Sequence, residues 1–308
     1  MKMRCTGCVI ALVLLGLAPV AHAQQYSPWS PAVNLGPIVN SSANEGCPFI
    51  AKSDLTLYVV STRTDGFGGQ DIYVSHRDSV YDAWGPLENL GPTINSEGNE
   101  LCPTLTIDGH RLFFVSDRPG GYGQQDLYVS RRQNKRDDFG WESPVNLGVT
   151  VNSAKNDYTP SLFEDEATGR THLYFSSDRP GGFGNVDIYS STLDSDGQFE
   201  WAVLVSELST AFIDERPNIR KDGLEMFFDS NRPESLGATD LWVSTRETTA
   251  DPWSAPVNLG SAVNTSSGEF RPSLSFDGTA LYFHSNRPGS LGSVDIYVTT
   301  RRKLRAPE

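Results

Sequence analysis

Five acidic residues recur at one place in a repeated pattern. Glu45, Glu100, Asp157, Asp214 and Glu269 each stand three positions before a proline: Pro48, Pro103, Pro160, Pro217 and Pro272. If the five copies meet around one axis, their carboxylates converge. Carboxylates so placed raise one another's pKa or share a cation. A pair of them is also the minimum for acid–base cleavage of a glycosidic bond. The plainer alternative is that each caps its own loop by accepting backbone N–H groups, as the neighbouring Asn44, Asn99 and Asn156 can. The residue just before each proline breaks the symmetry: Cys47, Cys102, Thr159, Arg216 and Arg271. Two arginines on one side of a ring could neutralise the acids or grip an anionic group with a forked guanidinium. Repetition alone does not produce that asymmetry. The candidate ligand or partner residues are therefore Glu45, Glu100, Asp157, Asp214, Glu269, Arg216 and Arg271.

Other chemistry is sparse. His76, His110, His172 and His284 lack metal-ligand spacing with another His or a Cys. There is no Gly-x-Ser-x-Gly elbow. No catalytic residue, metal or cofactor is assigned. A second repeated pair sits eight positions apart: Arg63 and Asp71, Arg118 and Asp126, Arg179 and Asp187, Arg232 and Asp240, Arg287 and Asp295. Five copies at fixed spacing across one hairpin read as structural, a charge-assisted bond that pins the turn between them.

That turn organises the chain. SDRPGGYGQQDLYVSRR, from Ser116, has copies starting at Ser61, Ser177, Ser230 and Ser285. The period is about fifty-five residues, which signals a repeat architecture. Each repeat holds four short runs rich in Val, Ile, Tyr, Phe and Leu, bounded by turn residues and without helical periodicity. Four antiparallel strands per repeat, with nothing else to cover them, imply a ring of blades. The strand that carries a proline in every copy is assigned to the innermost edge, because proline cannot donate to a ladder. Asp108-Gly109, Asp222-Gly223 and Asp277-Gly278 make the next hairpin, and EDEATGR widens it in the third repeat. A fourth type of run begins at Trp29, Trp84, Trp141, Trp201 and Trp253. These tryptophans are expected to bury area where blades meet. The first precedes any inner strand and the last repeat has none of its own. Trp29 to Leu35 should therefore complete the last blade. The fold class is all-β: a single five-bladed propeller of four-stranded antiparallel blades, closed by the N-terminal strand.

Lys2 and Arg4, an apolar run from Val9 to Val20 and Ala21-His22-Ala23 form a secretory signal. Residues 1–23 are read as that signal and 24–308 as the propeller. The apolar run is too short to span a bilayer. The net charge of −13 argues against nucleic acid and anionic lipid partners. The basic tail from Arg301 to Arg305 is read as a solvated end. Cys5 and Cys8 leave with the signal. Cys47 and Cys102 remain, at equivalent positions of adjacent repeats, in a compartment that permits a disulfide. Sequence alone leaves their pairing open.

The pattern S-[DN]-R-P-G-[GS]-x-G-x-x-D-[IL]-Y-V-S resembles the WD40-like, TolB-type β-propeller repeat of bacterial envelope proteins, from Trp29 to about Arg302. The fourth repeat departs from it, with SELSTAFIDE in its loop and Pro-Glu-Ser for Pro-Gly-Gly. The resemblance implies a non-enzymatic role as a protein-interaction or scaffolding module of the envelope. The expected protein is periplasmic or secreted and monomeric, without a membrane span. It would bind an envelope protein or glycan through its loop-bearing face. A carbohydrate-active hydrolase or lyase using the ring carboxylates is the alternative.

Overall fold

The structure is a computed structural model that describes residues 24–304, so the export signal read at residues 1–23 lies outside the described residues. Twenty strands form five four-stranded antiparallel sheets. The chain opens with β1 (Val33–Asn34). The first blade is β2 (Glu45–Ile50), β3 (Thr56–Ser61), β4 (Asp71–His76) and β5 (Glu88–Asn89). The second is β6 (Glu100–Leu105), β7 (Arg111–Ser116), β8 (Asp126–Arg131) and β9 (Val145–Asn146). The third is β10 (Asp157–Asp165), β11 (Arg170–Ser177), β12 (Asp187–Thr192) and β13 (Val203–Leu204). The fourth is β14 (Asp214–Ile219), β15 (Glu225–Ser230), β16 (Asp240–Thr245) and β17 (Val257–Asn258). The fifth is β18 (Glu269–Leu274), β19 (Ala280–Ser285) and β20 (Asp295–Thr300), and β1 completes it. Val33 pairs with Val298 and Asn34 with Tyr297, so the start of the domain closes the ring as its strand count requires.

The proline-bearing strands β2, β6, β10, β14 and β18 adjoin one another around the axis. Each has its edge there, where the missing proline N–H costs no ladder bond. Loops from the outer strand to the next blade and the Gly-rich turns leave on the same side. They interlock. The amide of Gly69 bonds the carbonyl of Gly98, and Gln70, Gln125, Val186 and Thr239 form bridges to the following blade. A side chain at Gly68 or Gly123 would overlap the carbonyl oxygen of Gly98 or Lys155. Glycine is required there for close approach of two backbones.

The repeated arginine does not bind the aspartate eight residues on. It bonds the acid before the proline: Arg63–Glu45, Arg118–Glu100, Arg179–Asp157, Arg232–Asp214 and Arg287–Glu269. The same guanidinium donates to a loop carbonyl, Val39, Ile94, Val151, Leu208 or Val263. The turn aspartate instead accepts the amides of its own turn, as Asp126 does from Tyr122 and Gly123, and an amide of the outer strand, Asn146. The expected Arg–Asp pair is thus corrected. The hairpin register puts the arginine near the innermost strand, whereas the aspartate faces the turn and the outer strand.

Buried asparagines Asn40, Asn95, Asn152 and Asn264 bond both backbone groups of one residue in the third strand of a blade, for example Ile72. The fourth repeat's departure has a cause here, since Ser209 takes that place against Ile188. Trp84, Trp141 and Trp253 are buried, and Trp29 packs edge-on against Phe227 of the neighbouring blade. Trp201 departs from that expectation at 69% exposure. Phe199 fills its slot against Phe113, because Phe199 stands four positions before its outer strand, as Trp84, Trp141 and Trp253 do, whereas Trp201 stands two before.

Cys47 and Cys102 form a disulfide between the first and second blades at a sequence separation of 55. A loop of that length corresponds to about 4 kcal/mol of denatured-state restraint. Reduction should lower the urea midpoint of the wild type and leave a Cys47→Ala/Cys102→Ala double variant unmoved. Glu100→Gln, which keeps volume but strands Arg118, should cost about 3–5 kcal/mol in urea unfolding.

Candidate functional site

Each innermost strand carries a bulge at its proline, where the ladder register shifts. The bulged residue lies in the left-handed region: Cys47 (φ 46°), Cys102 (50°), Thr159 (51°), Arg216 (56°) and Arg271 (55°). That conformation is costly for a residue with a Cβ and rarer still before proline. Its effect is to point the residue's N–H at the preceding blade. Cys47 N donates to His284 Nδ1, Arg216 N to Ser176 Oγ and Arg271 N to Asp229 Oδ1. His284 and Asp229 occupy equivalent second-strand positions and do equivalent work here. Strain shared by five blades and concentrated at one end of an axis marks a place to look for function.

The five ring acids all lie at this end, and all are fully buried. Their oxygens are used by their own blades. Glu100 accepts Ser96 N, Ser96 Oγ, Ser116 Oγ and Arg118; Glu45, Asp214 and Glu269 are held in the same manner, and Asp157 by Ser153 N and Arg179. Each acid therefore caps its loop and is neutralised by its arginine. Among the described residues no group of three or more His, Cys, Asp or Glu is placed to hold a metal ion.

What remains open is a pocket of 470 Å³ at the loop-bearing mouth. One side is apolar: Leu101, Val60, Val115 and the Cys47–Cys102 disulfide. The other side is polar: Tyr158, Thr159, Glu215, Arg216 and His284. Arg216 keeps 25% of its side chain exposed and holds two carboxylates on one nitrogen, Glu215 at the rim and Asp229 beneath. Burial pulls the Arg216 guanidinium down, but Glu215 and Asp229 outweigh it and keep it charged. Burial pushes Asp229 up to about 7 against the pull of Arg216. His284 is held well below its usual value by burial and then by Arg216 and Arg271, consistent with its neutral, accepting Nδ1. Phe270 stacks on His284 at 5.3 Å and lies 5.5 Å from the Arg216 guanidinium.

Arg271 does not reach the mouth. It is buried and crosses the axis, donating to Pro103 O and Thr104 Oγ1 in the second blade. Its Nε and Nη1 have no partner. Burial, and then repulsion from Arg216, lowers its pKa to about 9. The two arginines singled out by sequence thus divide: Arg216 serves the pocket and Arg271 spans the channel below it. Glu215 and Asp229 were not singled out. Glu215 shares its register with Gly46, Leu101, Tyr158 and Phe270, and Asp229 with Val60, Val115, Ser176 and His284. Acids at positions where other repeats carry other types were the available signal.

No family model matches the chain, and no curated protein matches it. Solved structures do. The catalytic domain of a Coprinopsis cinerea GH62 α-L-arabinofuranosidase aligns at 15% identity and TM-score 0.56, over 89% of this chain and 96% of that one. An α-L-arabinofuranosidase from Lactobacillus brevis aligns at 15% identity and TM-score 0.57, over 88% and 93%. A GH43 β-xylosidase/α-arabinofuranosidase from a compost metagenome aligns at 13% identity and TM-score 0.54, over 92% and 98%. At such identity the likeness is one of fold. It corrects two expectations nonetheless. These three solved propellers, which align over about nine-tenths of this chain, are glycoside hydrolases, not WD40-like or TolB-type envelope repeats. They favour the hydrolase alternative over the non-enzymatic scaffold.

Arg271→Met should test the cost of the buried guanidinium. With its folded pKa below the unfolded value, Arg271 destabilises wherever the unfolded chain holds its proton and the fold resists it. The variant should melt at higher temperature at neutral pH. Its margin over wild type should persist from neutral to mildly alkaline pH, because the guanidinium keeps its charge there. Scanning calorimetry across that range checks it.

Proposed function

We propose that the chain is a carbohydrate-active hydrolase that works at the loop-bearing mouth, and that it acts after export. The observation that carries this reading is the carboxylate pair on Arg216. Hydrolysis of a glycosidic bond needs one carboxyl that holds a proton near neutral pH and one that is ionised. Asp229, pushed up to about 7, can be the first. Glu215, at the solvent rim, can be the second and can meet a sugar. Arg216 holds both in one geometry.

The surroundings suit a sugar. Tyr158 and Phe270 offer partly exposed rings beside the acids, and the C–H faces of a sugar pack on such rings. Farther out on the same face, the Gly-rich turns expose one apolar side chain per blade: Phe67, Tyr122, Phe183, Leu236 and Leu291. The ring acids enter only as the frame that fixes the mouth. The solved structures of the same fold point to arabinofuranosyl and xylosyl linkages as the first substrates to try.

Screening arabinoxylan, xylo-oligosaccharides and cello-oligosaccharides for reducing-end release is the direct test. Glu215→Gln and Asp229→Asn should each abolish turnover while Glu215→Gln retains the fold. If Asp229 supplies the proton, the rate should fall as pH rises through about 7. Binding without release on every glycan by the wild type would sink the hydrolase reading.

A further inference from the structure

The opposite end of the axis carries a larger cavity, of 810 Å³, that the proposed hydrolytic site does not use. It is framed by the hairpins between first and second strands. Its charge is unlike that of the chain. The protein is acidic at −13, yet the cavity is lined by the six permanent cations Lys52, Arg132, Lys135, Arg136, Arg220 and Lys221 against the three carboxylates Asp108, Asp138 and Glu164. The carboxylates are occupied. Asp138 holds Arg132 and His76, Asp108 caps Thr106 and His110, and Glu164 accepts the amide of Ile107. Arg220 is paired with Asp222 and Glu225. Lys52, Lys135, Arg136 and Lys221 are exposed and stand in no ion pair among the described residues.

Two of these four flank one ring. The Lys52 and Lys221 ammonium groups lie 4.9 and 4.3 Å from the Phe276 centroid. Phe49, Leu55, Ile107 and Leu162 add partly exposed apolar wall. Behind the floor, Thr104 bonds the Arg271 guanidinium, which has no carboxylate partner and adds positive potential from within.

We infer that this mouth binds an acidic oligosaccharide, a short sugar chain bearing carboxylate or sulfate groups. Separate ammonium groups suit single anionic substituents spaced along a chain. An aromatic ring between two of them suits the C–H face of a sugar, for which a bare phosphate has no use. The volume falls in the range of small-ligand sites, too confined for a nucleic acid duplex that the rest of the surface would repel. The site is separate from the hydrolytic mouth and does not require turnover there.

Calorimetric titration of the full chain with trigalacturonate, a sulfated trisaccharide, neutral xylotriose and inorganic phosphate tests it. At least one acidic trisaccharide should bind, weakening as salt is raised, and the tighter of the two identifies the acid. Lys52→Ala/Lys221→Ala should weaken that binding by about tenfold, as expected for two part-exposed charge contacts. Both positions are exposed, so the melting temperature should hold. Phe276→Ala should weaken the acidic sugar without creating phosphate binding. Glu215→Gln should leave this titration unchanged, which separates it from the other mouth. Absence of binding by both acidic sugars, equal binding of xylotriose, displacement by phosphate at matched concentration, or an unchanged affinity in the double lysine variant would each overturn the inference.

Discussion

One bond organises the molecule: the buried contact between the acid that opens each innermost strand and the arginine that follows the second strand. Its carboxylate gathers the loop entering the blade, through Ser41, Ser96, Thr210 or Thr265. Its guanidinium gathers the loop's carbonyl and the base of the Gly-rich turn. A charge with no partner in that environment would be expensive, so acid and arginine stand or fall together. Five such clamps set the height at which the strands begin. They thereby set where the bulged residue before each proline meets the axis. The mouth can vary because the clamp does not.

Chemistry then resides in what the repeats do not share. At the bulge and at the facing second-strand position, the first two blades present Cys47, Val60, Cys102 and Val115, and the fourth and fifth present Arg216, Asp229, Arg271 and His284. One half of the mouth is apolar and cross-linked, the other ionised. Arg271 is the extreme case. It bridges to the far side of the ring and keeps a cation in the centre with two donors unspent. Its place between two cavities of different character makes the axis two sites back to back instead of one channel.

The correction of function follows from the same separation of frame and variable positions. The repeat motif that suggested an envelope scaffold is made of frame residues: the clamp arginine, the turn glycines and the aspartate that caps them. Such residues report architecture, and unrelated activities share architectures. The ring acids belong to the frame as well. Their convergence suggested a catalytic or cation-binding ring. Each is instead spent within its own blade, and the carboxylates left over, Glu215 and Asp229, come from single copies.

Sequence by itself determined the blade count, the strand order, the identity of the innermost strand and the closure by residues from Trp29 onward. Those features are written in local signals, such as proline at an edge, glycine at a close approach and alternating apolar runs, repeated often enough to be unambiguous. Tertiary structure decided which charges meet. Arg118 lies eight positions from Asp126 and eighteen from Glu100, and only the hairpin register brings it to the second. It decided that Cys47 and Cys102 are bonded and that Trp201 yields its slot to Phe199. It also decided that Arg216 and Arg271, alike in sequence, end at different depths. A repeat specifies its own fold through neighbours along the chain. The partners of a side chain at the axis come from other blades, and their distance in sequence carries no mark of their proximity in space.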